Sequence, residues 1–253
     1  MIRFEVDGRV GVATIDRVER RNALDAEHCE QLRVALTEHA GLRAVVIGGA
    51  GTAFCAGADL GTRFADGGGR GADTFRPAFE LVLDAIVDYP APVIAAIHGP
   101  AIGAGMQLAV ACDLRIAGPR ARLAIPGGNL GILLSPTNIT RLAVLVGQGA
   151  ARDFLLTGRS VHAAEATMIG LVQRTADDPI AAARELATEI AALAPLTVQG
   201  HKRALNLVAA QAALGAEAVA EVSALEAAAF SSHDLEEGMA AFAEKRTPRF
   251  EGR

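Results

Sequence analysis

Three short apolar segments alternate with amphipathic stretches, and this alternation constrains the fold more than any other feature. The apolar segments have strand length: LRAVVIGG (42–49), APVIAAIHG (91–99) and DLRIAGP (113–119). The stretches between them include RRNALDAEHCEQLRVALTEHA (20–40) and PAFELVLDAIVDYP (77–90), whose apolar residues recur at helical spacing. Buried strands that alternate with helices predict an α/β fold for the first two thirds of the chain.

The two ends of the chain carry different patterns. Residues 2–15 alternate apolar and polar side chains around Asp7-Gly8, which predicts a β-hairpin with a type I′ turn. From about residue 150 the spacing is helical, with expected breaks near Gly158, Gly170 and Pro195. We therefore divide the chain into a core, residues 1–195, and a C-terminal helical region, residues 196–253.

Composition excludes several classes of protein. A formal charge of −5 without a basic stripe argues against nucleic-acid binding. No apolar run reaches the roughly 20 residues that span a bilayer, so we expect no membrane insertion. The three cysteines, Cys29, Cys55 and Cys112, show no metal-ligand spacing. We expect a cytoplasmic protein without a signal peptide and without a bound metal.

Two loops of small residues follow predicted strands, and each opens toward a helix. They are FCAGADL (54–60) and GPAIGAG (99–105). Neither has the spacing of a dinucleotide-binding loop, a Walker loop or a nucleophile elbow. If the unpaired N–H groups of the two loops meet, they form an oxyanion hole for a thioester carbonyl. The alternative is that the glycines only permit close packing of helix and strand.

Several motifs together resemble the enoyl-CoA hydratase/isomerase (crotonase) superfamily. They are RRNAL (20–24), FCAGADL, the segment from APVIAAIHG to DLRIA, LTGRSVHAAEATMIGLV (156–172) and the tail AEKRTPRFEGR (243–253). The resemblance covers nearly the whole chain and implies a spiral of ββα units with a C-terminal helical region that trimerises. It also implies a coenzyme A thioester as ligand, no separate cofactor, and a homo-trimer or a hexamer built from two trimers.

The resemblance also assigns binding residues. It implies that the N–H groups of Ala58 and Ala104 form the oxyanion hole, although the family usually has glycine where Ala104 stands. Alanine serves there if its φ is negative. The implied coenzyme A contacts are Arg20, Arg21, Ala23, Leu24, Ala56, Asp59, Leu60, Lys245 and Arg246. The implied acyl pocket comprises Gly103, Leu130, Leu133 and Leu134. For Lys245 and Arg246 an ordinary solvated charge pair is the alternative, and we interpret Lys202 and Arg203 as surface charges.

Both catalytic carboxylates of the family hydratases are missing from this sequence. The first belongs in a GGGCELA-like string, which reads GAGMQLA here and places Gln107 at that position. The second belongs in an FGQPE-like string, where LAIPGGNLG places Gly127. A glutamine amide neither takes nor gives a proton as a catalyst. Each positioned acid or base is worth roughly 10²–10⁴ in rate, so we expect little or no hydratase activity.

Other groups offer a replacement acid or base, and each has a structural alternative. We interpret Asp59 as a helix cap, Asp113 as structural and His98 as a strand-end histidine rather than a base. Asp66, Asp73 and Glu80 lie in or after a glycine-rich segment, from which one carboxylate could reach an acyl chain. A water or small anion beside Gly127 is a further alternative. Pocket-lining roles are open to Ser135, Thr137 and Asn138, but we favour helix-start positions.

The preferred hypothesis is an acyl-CoA-binding protein of this fold that holds a fatty acyl thioester, with a lipid-synthesis protein as a possible partner. The first alternative is an active hydratase or isomerase with an unconventional acid or base. The second is a structural paralogue whose pocket is closed by side chains. The sequence leaves acyl chain length and double-bond position open.

Overall fold

The structure is a computed structural model that describes residues 1–60, 74–211 and 215–252. The strands are β1 (Ile2–Asp7), β2 (Val10–Ile15), β3 (Ala44–Gly49), β4 (Val93–Ile97), β5 (Pro100–Ile102), β6 (Leu114–Ala117), β7 (Arg122–Ala124), β8 (Ser160–His162) and β9 (Arg174–Thr175). The helices are α1 (Ala26–Glu38), α2 (Phe75–Asp88), α3 (Ala104–Ala111), α4 (Pro136–Thr157), α5 (Ala163–Met168), α6 (Pro179–Ala192), α7 (Pro195–Ala210), α8 (Ala216–Phe230) and α9 (His233–Glu244).

The chain forms two compact units. Unit 1 comprises Met1–Leu123 and Val161–Val208, and unit 2 comprises Ala124–Ser160 and Ala209–Arg253. The boundary that the sequence predicts after residue 195 stays a prediction, and it falls at the first turn of α7.

A six-stranded sheet in the order β1-β2-β3-β4-β6-β9 forms the centre of unit 1. The β1–β2 pair is antiparallel, and the pairs from β2 to β9 are parallel. Every residue of β3 and β4 is buried, as parallel strands covered on both faces require. Helix α6 covers one face, where Ala183, Leu186 and Ala187 pack with Val46 and Ile94. The predicted α/β fold is confirmed.

The hairpin prediction is right in its strands and wrong in its turn. Asp7 pairs with Val10, so the two central turn residues are Gly8 and Arg9 rather than Asp7 and Gly8. Gly8 has φ +58°, whereas Arg9 is not among the residues with positive φ. A type I′ turn needs positive φ at both central positions. One positive φ at the first central position is the pattern of a type II′ turn.

Helices dominate the later chain, as predicted, but they start earlier than residue 150. Helix α4 begins at Pro136, where the Ser135 hydroxyl accepts a hydrogen bond from the Asn138 N–H at 3.4 Å. The helix is interrupted at Gly147, whose φ of +76° is not helical, and it ends at Thr157 with Gly158 as its C-cap. The short strands β8 and β9 were not predicted, because three residues or fewer carry no readable alternation.

Candidate functional site

The FCAGADL loop is hydrogen-bonded along its backbone to the segment that precedes α1. The Leu24 N–H donates to the Gly57 carbonyl at 2.8 Å, and the Asp59 N–H donates to the Leu24 carbonyl at 2.7 Å. These bonds form an isolated parallel bridge between Leu24 and Ala58. Because Leu24 bonds to the residues on either side of Ala58, the N–H of Ala58 itself points away from Leu24.

The same loop is bonded on its other side to the β5 segment. Cys55 N–H donates to the Pro100 carbonyl at 3.1 Å, and its carbonyl accepts from the Ile102 N–H at 3.0 Å. Gly57 has φ +113°, and a Cβ on it would lie 3.0 Å from the Ile102 carbonyl oxygen and 3.8 Å from the Ala104 nitrogen. The backbone beside Ala58 therefore lies next to the first residue of α3.

The glycines of this region also serve close packing, as the alternative interpretation proposed. A Cβ on Gly99 would lie 2.0 Å from the Thr52 carbonyl oxygen, and one on Gly105 would lie 2.2 Å from the Cys55 carbonyl oxygen. Neither position has room for a side chain. The two interpretations are compatible, because this close approach is what brings α3 to the loop.

Two backbone donors in this region have no acceptor in the described parts of the chain. They are the N–H of Ala58, which points away from Leu24, and the N–H of Ala104, the first residue of α3. The first N–H groups of a helix have no partner within it. Ala104 has helical dihedrals with a negative φ, so alanine meets the condition set for a donor at this position. The helix start adds a partial positive charge that favours a negative oxygen.

Gln107 lies one turn into α3, on the same side of the helix as Ala104. Its N–H donates to the Gly103 carbonyl at 3.0 Å, and its side chain is half-buried. Within the described ranges its side-chain amide makes no hydrogen bond. A neutral polar group thus shares a helix face with Ala104, and it can donate or accept a hydrogen bond without moving a proton.

Gly127, in unit 2, begins a short 3₁₀ turn that leaves no space for a side chain. Its carbonyl accepts from the Leu130 N–H at 3.0 Å and from the Ile132 N–H at 2.9 Å. A Cβ on Gly127 would lie 2.5 Å from the Ile132 carbonyl oxygen. The position therefore lacks a carboxylate and could not hold one without a movement of the backbone.

Of the residues predicted for the acyl pocket, Gly103 lies in unit 1 and the three leucines lie in unit 2. Gly103 precedes α3 with φ +56°. Leu134 is buried within its unit, whereas Leu130 and Leu133 are half-buried. Their shared role as an acyl pocket stays a prediction.

The residues predicted to lie along coenzyme A differ in exposure. Arg20 and Arg21 are exposed at the end of a 3₁₀ turn, with Arg21 at φ +50°. Ala23 and Leu24 are buried, and Ala56 and Leu60 are half-buried. The Ala56 N–H donates to the Arg21 carbonyl at 3.0 Å. The side chain of Leu24 is enclosed, and its N–H and carbonyl are bonded to Gly57 and Asp59.

Sequence reasoning missed Asn22, which joins this segment to the residues just before the FCAGADL loop. Asn22 is fully buried with φ +60°. Its side-chain Nδ2 donates to the carbonyls of Ala50 and Ala53 at 2.8 and 2.6 Å, and its Oδ1 accepts from the Arg17 N–H at 3.0 Å. An asparagine between two arginines and an alanine was the available signal, because asparagine tolerates left-handed backbone better than most residues.

Two aspartates considered as acid or base groups are bound to cations. Asp59 Oδ2 lies 2.7 Å from Arg17 Nη2, and the helix that it was expected to cap falls outside the described residues. Asp113 Oδ2 accepts from the Val93 N–H at 2.7 Å and from Lys202 Nζ at 2.7 Å. Burial raises the pKa of Asp113, and the Lys202 charge opposes that rise. The Asp113 carboxylate is thus held in a structural contact.

The interpretation of Lys202 as a surface charge is wrong. Its side chain is 6% exposed, and besides Asp113 its Nζ donates to the Ile86 and Ala91 carbonyls at 3.2 and 3.1 Å. The cause is tertiary: α7 lays the lysine across the end of α2 and the start of β4. Arg203, the next residue, is exposed as expected.

The other residues considered as acid, base or pocket groups differ in location and burial. Asp66 and Asp73 lie outside the described residues, and Glu80 is half-buried on α2. His98 is buried just after β4, and burial lowers its pKa and so favours the neutral ring. Thr137 is exposed and Asn138 is buried in the first turn of α4, which agrees with the helix-start interpretation.

The two basic residues near the C-terminus differ in their contacts: Arg246 forms ion pairs, and Lys245 forms none with the residues that the structure describes. Arg246 Nη1 and Nη2 lie 2.6 and 2.8 Å from the Glu237 carboxylate, and Nε lies 2.5 Å from Glu244. These bonds hold the pKa of Glu237 down at about 2. Lys245 ends α9 with φ +56° and makes no ion pair in the part of the chain that the structure describes. Arg246 would have to leave its two carboxylates to bind a phosphate.

Two kinds of site are absent from the described ranges. No group of three or more histidine, cysteine, aspartate or glutamate side chains there could hold a metal ion. No helix there combines the length and apolar character that crossing a bilayer requires.

Comparison with known proteins gives one consistent result. The family model described as enoyl-CoA hydratase/isomerase matches residues 5–253. A protein of Mycobacterium leprae named "Probable enoyl-CoA hydratase" is 42% identical over 253 residues, covering 96% of each chain. The crystal structure of an enoyl-CoA hydratase/isomerase from Pseudoalteromonas atlantica superposes with a TM-score of 0.85 at 30% identity over 99% of each chain.

A structure with lower sequence identity supports the fold alone. Methylmalonyl-CoA decarboxylase in complex with 2-nitronate-propionyl-CoA has a TM-score of 0.90 at 22% identity, over 100% of this chain and 98% of the other. The family model, the identity across nearly the whole chain and the shared fold lead to one assignment. This chain belongs to the enoyl-CoA hydratase/isomerase family and has the crotonase fold.

Proposed function

We propose that this protein binds fatty acyl-CoA thioesters through the N–H groups of Ala58 and Ala104 and has little or no hydratase activity. The observation that carries the proposal is the pair of unpaired donors on neighbouring backbone segments, with Gln107 on the same side of α3. A thioester carbonyl oxygen is the acceptor that two such donors suit, and its partial negative charge fits a helix start.

Two features support the absence of efficient hydration. The Gln107 amide cannot cycle a proton, and the Ile132 carbonyl oxygen occupies the space that a Cβ at position 127 would need. Loss of one positioned acid or base costs roughly 10²–10⁴ in rate, and two groups that act on one transition state are not additive. Binding and polarisation of the carbonyl do not need either group.

The names of the similar proteins support the ligand class. The Mycobacterium leprae relative and the Pseudoalteromonas atlantica structure are both named for an enoyl-CoA. We propose that a coenzyme A thioester is the ligand here, with no separate cofactor, and that a lipid-synthesis protein receives it. Arg20, Arg21 and Lys245 are the cations proposed to meet the coenzyme A phosphates, together with Arg246 once it leaves Glu237.

We also propose that the protein self-associates as a trimer or a pair of trimers. Helix α7 exposes large apolar side chains on one face: Leu205 is 68% exposed, and Val208, about one turn further along the helix, is 64% exposed. Clustered exposed apolar side chains are typical of interaction surfaces. The three cysteines are buried and free, which fits the cytoplasmic location that we propose. Light scattering after size-exclusion chromatography measures the oligomer, and a monomer at micromolar concentration contradicts this part of the proposal.

Two measurements test the function. Calorimetric titration with hexadecanoyl-CoA is expected to give saturable binding that coenzyme A alone does not match. A hydration assay with a short and a medium 2-enoyl-CoA is expected to show little or no turnover. Turnover at an ordinary enzyme rate would instead support the active hydratase or isomerase. Absence of saturable heat would support a paralogue with a closed pocket.

A further inference from the structure

The guanidinium of Arg17 lies between two chain segments, one with Ala23 and Asp25 and the other with Asp59, the residue after Ala58. Its Nη1 donates to the Ala23 carbonyl at 3.2 Å and lies 3.3 Å from Asp25 Oδ2, while its Nη2 lies 2.7 Å from Asp59 Oδ2. The side chain is 15% exposed. A planar guanidinium with partners in two directions fixes their relative placement, because its donors form a rigid fork.

These contacts flank the pairing that orients the Ala58 N–H. Ala23 directly precedes Leu24, and Asp59 directly follows Ala58, and Leu24 and Ala58 form the isolated parallel bridge. Arg17 therefore links the two segments of the bridge, by a hydrogen bond to the Ala23 carbonyl on one side and an ion pair with Asp59 on the other. Only two backbone hydrogen bonds join Leu24 to the residues beside Ala58. The Arg17 contacts therefore add substantially to the stability of this short pairing.

The other end of the contact chain is anchored to a helix. Asp25 caps α1, where its Oδ1 accepts from the His28 N–H at 3.0 Å and lies 2.6 Å from His28 Nδ1. Burial raises the pKa of Asp25, but the hydrogen bonds to His28 and the charges of His28 and Arg17 outweigh burial and lower it. Asp25 is thus an ionised and fixed partner for Arg17.

We propose that Arg17 is a positioning residue that sets the direction of the Ala58 N–H through Asp59 and Ala23. The inference rests on the proposed function, in which that N–H binds the thioester carbonyl oxygen. Hydrogen bonds weaken steeply as the donor turns away from the acceptor. Without Arg17 the Asp59 side of the bridge loses its charged tie, and the donor loses alignment while the fold of unit 1 remains.

The test compares two ligands that differ at the carbonyl. Hexadecanoyl-CoA carries the thioester carbonyl, and the S-hexadecyl-CoA thioether lacks it. The wild-type protein is expected to bind the thioester more tightly than the thioether. Arg17→Gln is expected to reduce that preference roughly three- to tenfold, which corresponds to about 0.7–1.4 kcal/mol and lies within the range for one hydrogen bond. Affinity for the thioether is expected to change by less than about twofold, because it does not use this donor.

A spectroscopic readout separates positioning from general destabilisation. The carbonyl stretch of a thioester labelled with ¹³C at the carbonyl falls in frequency when hydrogen bonds polarise it. In Arg17→Gln the carbonyl stretching frequency of the bound thioester is expected to rise toward its value in a solvent without hydrogen-bond donors. Arg17→Lys keeps the charge without the fork and is expected to lie between wild type and Arg17→Gln. Arg33→Gln is the matched control, since Arg33 forms an exposed ion pair with Glu30 on α1.

Each outcome gives a decision. If Arg17→Gln does not fold, the ligand preference and carbonyl frequency of Arg17→Lys decide in the same way. A wild-type protein without preference for the thioester overturns both the proposed function and the role of Arg17. A wild-type preference that Arg17 variants retain in full, or a loss equal for both ligands, overturns the positioning role and leaves the proposed function standing.

Discussion

Lys202 gives the sharpest stability prediction because its ammonium is enclosed and has three partners. The Lys202→Met variant keeps the aliphatic stem but leaves the Ile86 and Ala91 carbonyls and the Asp113 carboxylate without their donor. Removal of one partner from a buried ion pair costs about 3–5 kcal/mol. Asp113 is 25% exposed and keeps its bond from the Val93 N–H, so we expect a loss of about 2–4 kcal/mol.

The assay is thermal and chemical unfolding of Lys202→Met beside Arg203→Met. A loss of about 3 kcal/mol corresponds to a fall in Tm of roughly 6–12 °C for a chain of this size. Arg203 is the exposed neighbour on the same helix, and its variant is expected to stay within about 0.5 kcal/mol of wild type. In the double variant Lys202→Met with Asp113→Asn, the loss is expected to be smaller than in Lys202→Met, because no unpaired carboxylate remains buried.

The stability deficit of Lys202→Met is also expected to depend on pH. Burial raises the pKa of Asp113 in the folded protein, and removal of the Lys202 charge raises it further. A raised carboxyl pKa means that the folded state binds the extra proton, so stability falls as pH rises between the unfolded and folded values. The deficit of Lys202→Met is therefore expected to be larger at pH 8 than at pH 5. A deficit equal to that of Arg203→Met, or one independent of pH, would refute the buried contact.

Three further predictions follow from the site and its surroundings. Gln107→Glu is expected to raise hydration of a short 2-enoyl-CoA about tenfold or more over wild type, because it supplies one ionisable group on the helix face that carries Ala104. A folded, ligand-binding variant with no gain argues that hydration is blocked elsewhere. Gly127→Ala is expected to lower stability by about 1–3 kcal/mol, since its Cβ would lie 2.5 Å from the Ile132 carbonyl oxygen. Gly128→Ala is the control, because nothing lies within 4 Å of its Cβ, and equal stability of the two variants contradicts the crowding. Burial raises the pKa of Cys55 and of Cys112 to about 12, and it also raises the pKa of Cys29. A disulfide reagent at pH 8 is therefore expected to label the three thiols only after unfolding. Rapid labelling of the native protein would count against their burial.

The sequence predicts the strands of unit 1 well because burial on both faces leaves a continuous apolar signal. β3 and β4 are buried throughout and lie within the segments chosen for them. The hairpin turn was misassigned by one residue, because both Asp7-Gly8 and Gly8-Arg9 contain the glycine that a tight turn needs. Short strands such as β9 depend on a neighbour for their geometry, and no local pattern encodes them.

The site is less predictable, since its parts act through contacts between distant segments. The two small-residue loops can be recognised from the sequence, because close contact between backbone segments requires glycine. Lys202 carries no local sign of burial, and only the carbonyls of Ile86 and Ala91 and the Asp113 carboxylate explain it. Arg17 looks like any turn arginine until Asp59 is placed beside it.

The loop at residues 55–59 takes its place from main-chain bonds on both sides, and this has a consequence for how such a chain can diverge. An amide N–H is supplied by any residue other than proline, so the grip on a ligand survives most replacements of nearby side chains. Proton transfer depends on side-chain identity and disappears with one substitution. Proteins of this fold can therefore lose or exchange their proton-transfer groups many times while their backbone N–H groups continue to bind the same class of ligand.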